Sequence, residues 1–200
     1  MIQNFVKLTE PGHAYADLNG QPYTSVSKVL DSLEEAQDWW KIAGNCAGNG
    51  KYVGMTQQQV FDAWDKNKVS AGNSGTRGHN ALECYSKTFN VPEGSEDLLP
   101  MAKSVHADYK DYYGTEEEAC LYYKRDGFLI AGTTDKILRV KKKGGLVDMC
   151  DYKFNPTGIT YKSKDNKYLK HPVSHLQDCK FNRYAIQLSI YGVIYESLTD

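Results

Sequence analysis

Ala119–Asn155 reads ACLYYKRDGFLIAGTTDKILRVKKKGGLVDMCDYKFN, and the fold turns on it. The run is rich in β-branched and aromatic residues, which favour strands. Asp126-Gly127 and Gly144-Gly145 punctuate it, and both pairs are hairpin turn signals. Three consecutive antiparallel strands follow from that pattern.

On the N-terminal side the texture is helical. YTSVSKVLDSLEEAQDWWKIAG predicts one helix, capped by Ser25 or Ser27, with apolar positions at helical spacing through Trp40. A Gly and Asn cluster from Gly44 to Gly54 separates it from a short second helix in MTQQQVFDAWDKNK. A third should start near Asn73 or Ser74 and run through NALECYSK. A fourth fits EDLLPMAKSVHADYKDYYG, with Gly114 as its stop. Beyond the strands comes a polar loop, Pro156 to about Gln177. CKFNRYAIQLSIYGVIYESL then predicts an amphipathic helix. Helices, a strand meander and a closing helix define a mixed α/β (α+β) domain with helices packed on a sheet. The 200 residues suit one domain, with a helical part over 1–72 and a core over 73–200.

Composition narrows the class. At 40% hydrophobic residues the chain is an ordinary globular one, and no apolar run approaches a membrane span. MIQNFVKLTEPGH lacks a signal pattern. Five cysteines without paired spacing fit a reducing compartment, so a cytoplasmic location is expected. The net charge of -1 conceals an asymmetry: Lys136–Arg183 holds about 12 Lys or Arg against about 4 Asp or Glu. Such a segment can present a positive face to a polyanion, or it can be a solvated lysine-rich hairpin.

The chemistry concentrates in the last strand. Side chains alternate along a strand, so Asp151 and Lys153 share a face with Val147 and Met149, about 7 Å apart. Leu146, Asp148, Cys150 and Tyr152 share the other. An exposed ion pair is the plain reading of Asp-x-Lys. The preceding strand adds to it: FLIAGTTDKILRV ends its apolar run at Gly132 and carries Asp135, which a hairpin would bring close to Asp151. Two such carboxylates repel unless a cation lies between them, and hard oxygen ligands suit Mg²⁺ or Mn²⁺. His79 and Glu83, four apart in GTRGHNALECY, share a helix face. So do Gln187 and Tyr191 in NRYAIQLSIYGVIY, with Tyr184 on the same side.

In order along the chain, these residues resemble the motifs of the PD-(D/E)XK nuclease superfamily, specifically its RecB-like branch. They are His79 in GTRGHNALE, Gly132–Asp135 in GTTD, Asp151–Lys153 in DYK and Gln187–Tyr191 in QLSIY. The resemblance covers about Ser74 to Glu196. It implies a restriction-endonuclease-like core and metal-dependent hydrolysis of DNA phosphodiesters, leaving a 5′-phosphate and a 3′-hydroxyl. His79, Asp135, Asp151 and the Tyr152 carbonyl would hold Mg²⁺ or Mn²⁺. Lys153 would position the water, and Gln187 would brace that side of the site. Glu83 would be an outer ligand, and Tyr191 would support the helix or contact DNA. Lys141, Lys142, Lys143, Lys162, Lys164 and Tyr184 would grip the DNA. The branch implies an exonuclease. The small size suggests a stand-alone nuclease of the sort phages encode, which would work in the host cytoplasm, with a recombination or replication protein as a candidate partner.

Other chemistries find less support. An iron–sulfur cluster needs clustered downstream cysteines, and only Cys179 follows DYK. His171, His175 and Cys179 fall at four-residue intervals, but Pro172 interrupts them and no second pair completes a zinc site. The competing class is a non-catalytic DNA clamp, or a complex subunit, that keeps the nuclease fold.

Overall fold

The computed structural model describes residues 5–9, 14–141, 146–155 and 158–199. Lys142, Lys143 and the Gly144-Gly145 turn signal lie outside the described residues, as does Pro156. The strands are β1 (Val6–Thr9), β2 (Ala14–Asp17), β3 (Pro22–Ser25), β4 (Tyr112–Arg125), β5 (Phe128–Val140) and β6 (Val147–Cys150). The helices are α1 (Val26–Ser32), α2 (Trp39–Cys46), α3 (Gln57–Thr88), α4 (Leu99–Ala107) and α5 (Lys180–Thr199). Together they make a mixed α+β fold, a curled mixed sheet flanked by helices. Among the described residues no helix is long and apolar enough to cross a membrane.

The expected meander is present. β4 and β5 pair antiparallel from Arg125↔Phe128 onward, and β5 pairs antiparallel with β6. Asp126 and Gly127 close the first hairpin with φ of 53° and 81°, the twist a two-residue turn needs. The helical reading of the first 72 residues is corrected: β1, β2 and β3 form an antiparallel meander, and β3 joins β5 in parallel. Val6, Tyr15 and Tyr23 bury their side chains with Ala131.

Three helix boundaries also differ from expectation. The first helix is two, α1 and α2, separated by six non-helical residues; Ser25 caps α1 by accepting from Lys28 N at 3.1 Å, and Asp38 caps α2. The second and third are one, since α3 runs 32 residues from a Thr56–Gln59 capping box to a left-handed Phe89. Its glycines cost a helix about 1 kcal/mol each, too little to break it. The fourth ends at Ala107, and Gly114 sits inside β4 instead of stopping a helix.

Two cores flank the sheet. Val26, Leu121 and Ile137 pack against Tyr191, Ile194 and Tyr195 of α5. Ala81, Leu82 and Tyr85 of α3 pack with Ala102 of α4, and Tyr152 and Phe154 lie against them. The helices thus cover β5 and β6 from both sides.

Candidate active site

The site forms where β5 changes neighbours. On one edge β5 pairs with β3 at Ile130 and Ala131, then with β6 from Lys136 to Arg139. Gly132–Asp135 occupies the interval between them. Gly132 is required there by close approach: a Cβ would lie 2.6 Å from Cε1 of Tyr191 and 3.0 Å from Val26 Cγ2. On the other edge Glu118 and Asp135 drop out of the β4–β5 register, and Glu118 takes φ 48°. The pairing resumes in the same register on either side, Glu117↔Lys136 and Ala119↔Thr134, so the irregularity is local to this pair. Gly132 and Ile137 face α5, whereas the consecutive Asp135 and Lys136 both face α3 and α4.

Asp135 is held by two partners. His79 Nδ1 lies 3.0 Å from its Oδ1, and the Tyr152 amide donates to its Oδ2. Lys153 Nζ pairs with Asp151, whose side chain is 7% exposed, and sits 5.1 Å from the centre of the Tyr184 ring. Tyr184 Oη in turn accepts from Asn155 Nδ2 at 3.1 Å. The hydrogen-bonded ladder of β6 ends at Cys150, so Asp151, Tyr152 and Lys153 lie just past the strand. Side-chain alternation persists beyond it. Val147 and Met149 pack on the α5 side, and Tyr152 and Phe154 on the α3 side. Asp148 points elsewhere and accepts from Tyr112 Oη at 2.5 Å.

Electrostatics tie the groups together. The hydrogen bond that Asp135 accepts raises the His79 pKa above its usual value; burial opposes this, and the charges of Asp135 and Asp151 assist. Burial raises Asp151 despite the adjacent Lys153, and the Asp135 charge adds to the rise. Gln187 is buried and donates to Tyr191 Oη at 3.1 Å, the tyrosine that presses on Gly132. It reaches the site through that ring. Burial raises Tyr191 and Tyr152 strongly.

A small cavity of ≈ 10 Å³, about one water, lies against His79, Glu83, Glu117, Asp135 and Lys136. Glu83 pairs with Lys87. Several groups here carry no motif signal. Lys136 is buried, 3.1 Å from Glu117 and 4.8 Å from the centre of the Tyr109 ring. Tyr109 Oη meets Tyr152 Oη at 2.6 Å. Strict alternation would place Lys136 opposite Asp135, yet both line this cavity together with Glu118. Of the lysines expected on DNA, Lys141, Lys162 and Lys164 are among the described residues, and none of them lines this cavity. Lys141 donates to the Lys110 carbonyl, and Lys162 and Lys164 are exposed in the 158–178 loop. Tyr184 belongs to the Lys153 side of the site.

The donor types suit a hard divalent ion: carboxylates, one imidazole, and a buried Glu117 Oε2 without a hydrogen-bond partner. Their directions are set by internal pairing. Among the described residues no three His, Cys, Asp or Glu side chains converge on one point. An ion would have to exchange with the His79–Asp135 and Lys153–Asp151 contacts.

Family models, curated protein sequences and solved structures were compared with the chain, and none matches.

Proposed function

We propose that the chain is a Mg²⁺- or Mn²⁺-dependent deoxyribonuclease with a restriction-endonuclease-like core, an exonuclease of the RecB-like branch of the PD-(D/E)XK superfamily. One observation carries the reading: Asp135, Asp151, Lys153 and His79 meet in one charge network beside the β5 interval. Residues of three motifs, spread from His79 to Lys153, meet in that network, and the fourth motif reaches it through the Tyr191 ring.

Asp135, Asp151, His79 and the Tyr152 carbonyl would hold the ion, with Glu83 outside them. When bound it would supply positive charge to the scissile phosphate and lower the pKa of the attacking water. The chain's own groups do the rest. Lys153 keeps an ammonium beside Asp151, where it can hold a water or a phosphate oxygen by a charge-assisted hydrogen bond. The Tyr184 ring limits its swing. Tyr191 and Gln187 fix the β5 interval from the α5 side, so Asp135 and Asp151 keep their spacing. The lysines of the 158–178 loop offer sequence-independent phosphate contacts.

Lys153→Ala should lower cleavage of linear DNA by at least about 100-fold and leave DNA affinity largely unchanged. End-labelled linear single strands, linear duplexes and closed circles, incubated with Mg²⁺ or Mn²⁺, read this directly. Laddering of the linear substrates alone supports the exonuclease, and cut circles would make it an endonuclease. Full activity of the variant, or undiminished cleavage in excess EDTA, sinks the assignment. One feature favours a second reading, a non-catalytic DNA clamp: both oxygens of Asp135 are already engaged within the protein. Binding of all three DNAs without cleavage would select it.

A further inference from the structure

Every tryptophan of the chain lies far from this site, around α2 and the first two turns of α3. Trp39 is 58% and Trp40 46% exposed, an unusual position for the largest apolar side chain. Trp39 stands edge-on to Trp64 at 6.3 Å, and Trp64 donates to Tyr52 Oη at 2.6 Å, so the platform is braced. A cavity of ≈ 290 Å³ opens between Trp39, Phe61, Trp64, Asp65 and Lys68, the size of a small-ligand site.

Charge identifies the occupant. Lys68 lines the cavity, and Lys51 Nζ lies 4.9 Å from the centre of the ring of Tyr52, which braces Trp64; both lysines are exposed. Of the nearby acids, Asp38 caps α2 through Lys41 N and Asp62 accepts from Gln58. Asp65 alone lines the cavity. Open aromatic faces rimmed by lysines match an unpaired nucleobase with its phosphate, because bases stack on any π-face while the backbone meets cations. A duplex offers no free base face.

We propose that Trp39, Trp64 and Lys68 form a stacking site for single-stranded DNA. It rests on the nuclease reading for its purpose, though not for its binding. Trp64 precedes His79 by fifteen residues on one continuous helix. At 1.5 Å per residue the two lie about 22 Å apart along the helix axis. The platform would then hold an unpaired strand at a fixed distance from the cleavage centre.

Oligo(dT) of fifteen residues and a duplex of the same length test this in EDTA, where turnover is suppressed, by tryptophan fluorescence and by anisotropy of a labelled strand. The expected result is quenching by oligo(dT) and about ten-fold weaker binding by Trp39→Ala. Trp39→Phe should bind within about three-fold of the parent, and Asp65→Asn more tightly, since one repulsive charge is gone. Duplex affinity should not depend on Trp39. Because Trp39 is exposed, loss of fold is not expected, and circular dichroism of each variant checks it. Unchanged oligo(dT) binding by Trp39→Ala overturns the proposal. So does a Trp39-dependent dimer in sedimentation that oligo(dT) fails to dissociate, which would make the patch a protein contact. Failure of wild-type cleavage would remove the nuclease reading and leave this result standing. A platform that fails while Lys153→Ala is inactive would do the reverse.

Discussion

The two halves of α3 are made of the same helix and do different things. Its C-terminal half buries Gly78, Ala81, Leu82 and Tyr85 against α4 and the end of β6. Its N-terminal turns pack on α2 through Val60 and Phe61. Between them residues 65–74, DKNKVSAGNS, are exposed at every position. Tertiary packing usually stabilises helices more than propensity does. Here a ten-residue stretch continues because capped, packed segments lie at both ends. The middle of α3 is a spacer that fixes a distance while burying nothing.

The sharpest way to break that arrangement is Val69→Pro. Val69 is 56% exposed, so the change removes no core contact. It deletes one helical hydrogen bond and clashes with the carbonyl of Asp65, a cost of about 3 kcal/mol. If the middle is only a spacer, amide exchange accelerates through residues 57–74 while 78–88 stays protected. Uniform loss of protection across α3 would mean that the two halves fold as one unit.

Two glycines sharpen the comparison further. A Cβ at Gly78 would lie 2.3 Å from Cε1 of Phe154, whose ring also packs against His79 at 5.3 Å. Gly78→Ala should therefore destabilise by about 1–3 kcal/mol, although alanine is the better helix former. Gly72 meets nothing within 4 Å, so Gly72→Ala should stabilise by about 0.5–1 kcal/mol through helix propensity alone. Denaturant midpoints measure both. The same sign for the two substitutions would contradict the division of α3.

The difference between the halves also explains what could be read before the structure. The Asp126-Gly127 turn, the three antiparallel strands, the Ser25 cap and the last helix each follow from local chemistry, and all are present. β1, β2 and β3 are four residues each, too short for alternation to stand out, and their burial depends on Ala131 far along the chain. Asn73 and Ser74 read as a helix start because local rules do not register the packing of Val60 and Phe61 on one side and of Gly78, Ala81, Leu82 and Tyr85 on the other. The site divides in the same way. His79, Asp135, Asp151 and Lys153 could be picked out by residue type and order. Glu117, Lys136 and Tyr109 could not, because their contacts join three separate segments that no local pattern links, and nothing in the local sequence marks the non-glycine residue at positive φ beside them, Glu118.

That residue provides the smallest test. Glu118 sits at the strand break beside Glu83 of the packed half of α3. Burial raises its pKa above the ordinary glutamate value of 4.5, and the Glu83 charge adds to the rise against Lys87. An acid whose pKa is higher folded than unfolded takes up a proton on folding. Its penalty is therefore in full force above the raised pKa, and it disappears as pH falls below 4.5. Glu118→Gln removes the charge and keeps the shape. At pH 7 it should stabilise by about 0.2–0.5 kcal/mol, the size of one unfavourable charge pair, and the gain should vanish near pH 4. Paired denaturation curves at the two pH values measure it. An equal gain at both would show that the effect does not come from the charge, and would leave the Glu83–Glu118 repulsion without a part in shaping this end of α3.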